Sequence, residues 1–427
     1  MSFINNNKLV KDTLVYTITD AVGKAISFIL LPVLSYYLSP EGLGLATNFV
    51  VFTTIVNLLA GQAILNALSY FYYEQTKYQN SILVSNLIWM TIAACTGLFF
   101  IMLLFNNQIF QYLQLNLTFQ GMAFFYAIFF VFTNINLQLF RLEDKPKSFA
   151  IFQIIQIILH CILVVLFVIV LKQDGEGKIY AEFLTIVLMG IVNLYSIIKR
   201  GFLVVKYDKS SVKTLLKFGL PLIPHSISFW FKSGADKVFI TNFAGLAANG
   251  LYSMAMSISS LYTLVSHAFF YAYIPTLQKK LSNMNSENEK EEKIKIVKTI
   301  YFMIGLFFLV SLLSVLGAWI ILKFMVADKY ESAFNFIPGV ILSMYIYVVY
   351  TFAVQFVYKM KKTVILGIIT FIGSLIQMLF SYYFVKFDGP MGAVYSSIVG
   401  SLLVSLGIFY YSNKIFPMPW LYFWSKR

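Results

Sequence analysis

The chain has 427 residues, of which 59% are hydrophobic and 12% charged, with a net charge of +14 and a mean hydropathy of +0.78. Soluble domains carry about 25% charged residues, so this composition excludes a string of soluble domains. It also excludes nucleic acid as a partner, since no basic patch sits on a soluble fold.

A helix needs about 20 apolar residues to cross the hydrocarbon core of a bilayer. By that rule the sequence predicts spans near 12–38, 44–68, 82–105, 117–140, 149–171 and 178–198. A second set follows near 215–240, 250–274, 299–322, 334–357, 363–385 and 391–412. None of these runs alternates with period two, as a barrel strand must. The expected fold class is therefore an all-α membrane protein of about twelve helices. The first run lacks a small-residue cleavage pattern and is long enough to stay as a span. The domain division expected is a six-helix bundle over 1–198, a connector loop over 199–217, a second six-helix bundle over 218–412 and a tail over 413–427.

Twelve spans sort the loops into two sets. One holds 24 of the 32 basic residues, including Arg141, Lys199, Arg200, Lys209, Lys213, Lys217, Lys279 and Lys280. The other holds five, Lys172, Lys178, Lys323, Lys329 and Lys386. The positive-inside rule places the rich set in the cytoplasm, and both termini with it. The positive charge thus reads as orientation and contact with membrane lipids. In the second long basic loop, SENEKEEKIKIVK predicts a solvated helix. The terminal PMPWLYFWSKR predicts an interfacial anchor through Trp420, Tyr422 and Trp424.

The opening spans of the two sets resemble one another. LSPEGLGLATNFVVFTTI (Leu38–Ile55) lies over AGLAANGLYSMAMSISSL (Ala244–Leu261), with LGL at Leu43–Leu45 over NGL at Asn249–Leu251. Both opening spans carry proline, Pro32 in the first and Pro221 and Pro224 in the seventh. Two parallel six-helix repeats are a recurrent transporter plan, with substrate handled where they meet.

Charges inside a membrane are costly, about 2.5–3.5 kcal/mol each on insertion scales, and mark functional positions by default. Asp20 and Lys24 stand four residues apart in span one, and Lys232, Asp236 and Lys237 lie in span seven. Either each Asp–Lys pair neutralises itself, or the lysines line a cavity for an anionic ligand while the aspartates tune them or titrate. On the second reading Lys24, Lys232, Asp236 and Lys237 bind substrate, and Asp20 couples transport to an ion. His160, His225 and His267 lack metal-ligand spacing and read as hydrogen-bonded helix contacts. Cys95 and Cys161 fall in apolar runs and read as packing residues. Asn57, Gln62, Asn66, Asn134, Asn136, Gln138, Gln153 and Gln156 serve either interhelical hydrogen bonds or the hydroxyls of a sugar. No nucleophile motif, phosphate-binding glycine loop or metal cluster is present in the sequence, so an enzyme is not expected.

Lys24–Leu45 (KAISFILLPVLSYYLSPEGLGL), Phe218–Ala255 (FGLPLIPHSISFWFKSGADKVFITNFAGLAANGLYSMA) and Arg141–Ala150 (RLEDKPKSFA) resemble the signature segments of polysaccharide flippases of the Wzx type. The wider superfamily includes the multidrug/toxin (MATE) exporters and the lipid II flippases. The resemblance implies two six-helix bundles around a V-shaped central cavity with alternating access. It implies an undecaprenyl-diphosphate-linked oligosaccharide as substrate, moved from the cytoplasmic to the outer leaflet of a bacterial inner membrane. It further implies an H+ or Na+ gradient as driving force, no cofactor or metal, and other polysaccharide assembly proteins as partners. Asp20 resembles the span-one acid of proton-coupled relatives, and Asp236 and Lys237 match an acidic–basic pair of the family's seventh span. A drug or metabolite antiporter of the same fold is the first rival. A membrane polysaccharide polymerase or glycosyltransferase is the second, and short outer loops count against it.

Overall fold

The computed structural model describes residues 6–284 and 288–422, with side chains from Val15 onward except those of Asp20, Lys24, Ser27 and Ala63. The regular secondary structure of the described residues is all helical, without a strand. In chain order the helices are α1 (Asn6–Tyr37), α2 (Pro40–Asn57), α3 (Ala63–Phe71), α4 (Lys77–Leu113), α5 (Leu117–Leu142), α6 (Pro146–Val164) and α7 (Asp174–Lys199). There follow α8 (Lys209–Gly219), α9 (Ile223–Ser233), α10 (Ala235–Ser282), α11 (Glu289–Phe324), α12 (Ile337–Lys359), α13 (Thr363–Asp388) and α14 (Pro390–Ile415).

Ten segments among the described residues are helices long and apolar enough to cross a membrane. They match the expected spans one to six and nine to twelve. The expected seventh and eighth spans fall on α8, α9 and α10, where the helix is broken. Pro221 lies in the 3-10 turn Leu220–Leu222 between α8 and α9, as a residue without an N–H interrupts the ladder. Inside α10 the break is Gly245, at φ 87° and ψ 174°, a conformation that only glycine adopts without strain. Span three is longer than expected. The 37 residues of α4 extend about 55 Å at 1.5 Å per residue, well beyond a 30 Å hydrocarbon core. From Glu289 onward the charge-alternating stretch is helical, as the first turns of α11, and runs into span nine without a break. Lys293–Glu289 (2.6 Å) and Lys295–Glu291 (2.8 Å) pair one turn apart along it.

The chain forms two units. The first comprises Met1–Trp230 together with Gly245–Gly250, and the second Phe231–Ala244 together with Leu251–Arg427.

In the first unit the start of α2 is capped by Ser39, whose hydroxyl accepts from the Gly42 amide (2.9 Å). The same serine donates to the Asp174 carboxylate from its backbone N–H (2.8 Å) and its hydroxyl (2.5 Å), tying α2 to α7. Against α2 lies the six-residue stretch Gly245–Gly250. A Cβ on Gly44 would run into the Leu246 carbonyl oxygen, and one on Gly250 into the Pro40 carbonyl oxygen. Position 250 aligns with 44 in the internal repeat, and 246 with 40. The contact is thus reciprocal, as across a two-fold axis. Small residues let helix backbones approach this closely. The seam is completed by Asn249, which donates to Asn48 Oδ1 (2.8 Å), while Asn48 donates to the Leu113 carbonyl (2.7 Å).

At the basic end of this unit α3, α4, α5, α7 and α8 pack around Leu68, Leu83, Val84, Ile135, Leu139, Ile197 and Leu215. Asp208 caps α8 and accepts from the Ser211 hydroxyl (2.7 Å) and amide (2.8 Å). These bonds hold its carboxyl below the usual carboxylate range. A clamp closes the same end. Arg200 donates to Glu143 (2.5 Å) and Asn136 (2.7 Å) and lies 4.4 Å over the Phe140 ring. Asn136 in turn donates to Asn193 (2.8 Å). Removing one member of a partly buried charged pair leaves the other unsatisfied. Glu143→Gln is therefore expected to cost about 2–4 kcal/mol of first-unit stability, read as a lower melting temperature of the purified protein.

In the second unit α12, α13 and α14 pack through Ala353, Val354, Val357, Leu366 and Ile408. Phe270, Phe307 and Phe352 form an aromatic core joining α10, α11 and α12, with centroids 5.1–5.4 Å apart. The tail, expected as an interfacial anchor, packs onto protein through Trp420. Trp420 donates to Asn413 (3.1 Å), and its carbonyl accepts from the Tyr301 hydroxyl (2.7 Å). Trp424 lies outside the described residues. Both cysteines are free.

Candidate functional site

Of the expected site residues, Lys232, Asp236 and Lys237 have described side chains. Asp20 and Lys24 fall within α1, but their side chains lie outside the described residues. The three of span seven go to three places, because the helix is interrupted at Gly234, which caps the start of α10.

Lys232 closes α9, and its Nζ sits 3.6 Å above the centroid of the Tyr347 ring. Tyr347 stacks on Tyr350 one turn along α12, with centroids 4.4 Å apart and planes at 25°. The Gln377 amide donates to the Lys232 carbonyl (3.4 Å), which fixes the end of α9 against α13. Among the described residues Lys232 has no carboxylate partner. Its ammonium faces the electron-rich face of the Tyr347 ring, a weaker arrangement than an ion pair.

Asp236 lies in the first turn of α10, where a carboxylate meets the positive end of the helix dipole. It is 3% exposed and accepts from the Tyr252 hydroxyl (2.7 Å) and the Lys237 amide (2.8 Å). Tyr252 is fully buried and also bonds Ser397. Lys237 turns back to donate to the Ser233 carbonyl (2.8 Å). Asp236 and Lys237 thus each satisfy their own neighbourhood, and Lys232 is left as the cation in need of an anion.

The first unit holds a cavity of about 200 Å3 between α5, α6 and α7. Asn134, Gln138, Arg141, Gln153 and Gln156 supply its polar lining, with no carboxylate among the lining residues. Farther along the same helices stands a charged group that sequence reasoning passed over. Glu182 bonds the Tyr126 hydroxyl and interacts with His160 and Lys178, and His160 Nδ1 lies 3.4 Å from the Thr185 hydroxyl. The signal was present, since Glu182 interrupts the apolar run of span six four residues after Lys178.

Ten apolar helices, interrupted segments at Pro221 and Gly245 and a polar cavity in the first unit define a helical membrane protein. The solved structures agree on the fold. A multidrug resistance MATE family transporter of the MOP superfamily, in an inward-facing conformation, is similar over 92% of this chain and 94% of its own, with TM-score 0.68 at 15% identity. A MOP superfamily transporter from Pyrococcus furiosus, described as having a binding pocket of reverse polarity, is similar over 95% of both chains with TM-score 0.55 at 16% identity. The polysaccharide biosynthesis protein family matches residues 9–281, and the chain belongs to that family. A protein of the Lsg locus of Haemophilus influenzae is 23% identical over 96% of this chain and 99% of its own length. The resemblance carried by Lys24–Leu45 and Phe218–Ala255 points to the same group, whose members are membrane transporters and flippases.

Proposed function

We propose that the protein flips undecaprenyl-diphosphate-linked oligosaccharide repeat units from the cytoplasmic to the outer leaflet of a bacterial inner membrane, by alternating access. The observation that carries this reading is Lys232, a cation deep in an apolar segment that rests on the Tyr347 ring, itself stacked on Tyr350, and has no carboxylate partner among the described residues. A diphosphate offers such an ammonium the charge-assisted bonds it does not find within the protein. Stacked tyrosines beside it suit the apolar faces of a sugar. A cationic drug would meet the wrong sign at this position, which separates the reading from an antiporter of the same fold. The basic end of the molecule faces the cytoplasm on this reading, and both termini with it. Asp20 in α1 remains the residue proposed for H+ or Na+ coupling.

Deleting the gene is expected to remove surface glycan and to leave lipid-linked repeat units accumulated on the cytoplasmic leaflet. Both are read by surface glycan staining and by extracting and sizing the lipid-linked sugars. Normal surface glycan in a deletion strain without a second flippase would overturn the proposal.

A further inference from the structure

We infer that the cavity between α5, α6 and α7 is a glycosyl subsite that selects a sugar bearing a negative charge. The inference rests on the flippase reading for its biological meaning, and on the cavity for its chemistry.

Three helical rows converge on this part of the first unit. Along α5 run Arg141, Gln138, Asn134, Phe130 and Tyr126, spaced three or four residues apart. Gln153, Gln156 and His160 follow the same spacing on α6, and Ile186, Glu182 and Lys178 on α7. Residues so spaced share one face of a helix. From Arg141 to Tyr126 the α5 row covers about 22 Å at 1.5 Å per residue, most of the depth of a bilayer core.

The cavity occupies the half of this column next to Arg141. At about 200 Å3 it is smaller than the roughly 300–1,000 Å3 of sites for drug-sized ligands, which suits one sugar ring. Its donors and acceptors are only partly used by the protein. Asn134 donates to the Phe130 carbonyl (2.8 Å), which leaves its own oxygen free to accept. Gln138 donates to the Ser69 hydroxyl. The Gln156 amide has no protein partner among the described residues, and an unsatisfied amide at membrane depth costs several kcal/mol. Water or a hydroxyl-rich ligand removes that cost.

Arg141 sets the charge preference. Its Cζ lies 4.5 Å from the centroid of the Phe149 ring, and it has no carboxylate partner among the described residues. The neighbouring Glu143 is taken by Arg200 and Lys145. A planar guanidinium held by an aromatic ring is suited to bidentate binding of a carboxylate or phosphate. One turn beyond Ile186, Glu182 places a carboxylate farther along the column, so the anionic end of a sugar is favoured at Arg141 and its hydroxyls at the amides. The charge could be borne by the sugar's own carboxylate or by a phosphate ester, and the chemistry at Arg141 is the same.

The test uses the full-length protein in lipid nanodiscs, titrated with a glucuronyl-terminated disaccharide, its neutral glucosyl counterpart, glucose 1-phosphate and inorganic phosphate. The two anionic sugars are expected to bind at least tenfold more tightly than the neutral disaccharide or phosphate alone. Which of the two binds better identifies the source of the charge. Arg141→Gln should erase the preference, Arg141→Lys should keep part of it, and Gln156→Leu should weaken all three sugars roughly fivefold, the effect of one lost hydrogen bond. Absence of sugar binding, equal affinity for all sugars, phosphate binding as tight as that of the anionic sugars, or an undiminished preference in Arg141→Gln would each sink the assignment. Soluble sugars need neither lipid anchor nor leaflet transfer. Failure here therefore leaves the deletion phenotype standing, and failure of the deletion phenotype leaves sugar binding standing.

Discussion

Valine at Gly250 is expected to remove most folded protein from the membrane, and valine at Gly44 to do the same. Each side chain would enter the space of a backbone carbonyl, that of Pro40 in one case and Leu246 in the other. A clashing side chain can rotate away, but a helical carbonyl moves only with its helix. Overpacking a tight contact costs about 1–3 kcal/mol for a few added methylenes, and valine here adds more than the seam can absorb. Alanine should be milder and still measurable. The two alanine variants combined should cost less than the sum of the single effects, because the first displacement opens room for the second. Gly305 in α11 has no neighbouring atom where its Cβ would stand, so Gly305→Ala should be neutral or slightly stabilising. Size-exclusion profiles and melting temperatures of detergent-extracted protein distinguish these outcomes. Well-folded Gly250→Val at wild-type yield would show that the seam is looser than its geometry implies.

That seam also shows what sequence can and cannot carry. The offset aligning LGL with NGL was readable from glycine and leucine spacing alone. That the aligned glycines touch one another, each beneath the other segment's carbonyl, depends on two segments folding back together, which periodicity does not encode. Helix number and type were legible for a different reason. A bilayer demands long apolar runs, and each run announces itself locally. Spans seven and eight were legible as apolar runs, with the turn between them where Gly245 breaks α10, yet the interruptions of span seven at Pro221 and Gly234 are ones hydropathy averages over. Among the site residues, Lys232 stood out because a charge in an apolar run is rare. Its platform did not. Tyr347 and Tyr350 are two of 28 tyrosines, more than a hundred residues away, and only tertiary packing selects them. The expected one-turn spacing of Lys232 and Asp236 also dissolved at Gly234, because a helix must be continuous for four residues to mean one face. Glu182 was hidden by position, since it follows Lys178 closely enough to pass for a loop charge.

Reversing the charge at Lys232 should abolish surface glycan while leaving the protein at its normal level in the membrane. Lys232→Glu replaces an attractive ammonium by a carboxylate that repels a diphosphate, and Lys232→Gln removes the attraction without adding repulsion. Hydrogen bonds to charged groups are worth about 1.5–3 kcal/mol, so the glutamine variant should transport some tenfold to hundredfold more slowly. Lys232→Arg should retain a large part of the activity, since the charge remains and a guanidinium also lies well on a tyrosine face. Tyr347 contributes through its ring rather than its hydroxyl. Phenylalanine there should therefore be tolerated, while leucine should slow transport severalfold by removing a cation–π contact of roughly 0.5–2 kcal/mol. A purely structural lysine predicts another pattern. Its loss would lower abundance and melting temperature, and arginine and glutamate would be ranked by fit rather than by charge. Quantifying surface glycan against membrane protein level for the five variants separates the two roles. Full glycan from Lys232→Glu at wild-type abundance would remove Lys232 from the path of the substrate, and with it the physical basis for assigning a diphosphate to the second unit.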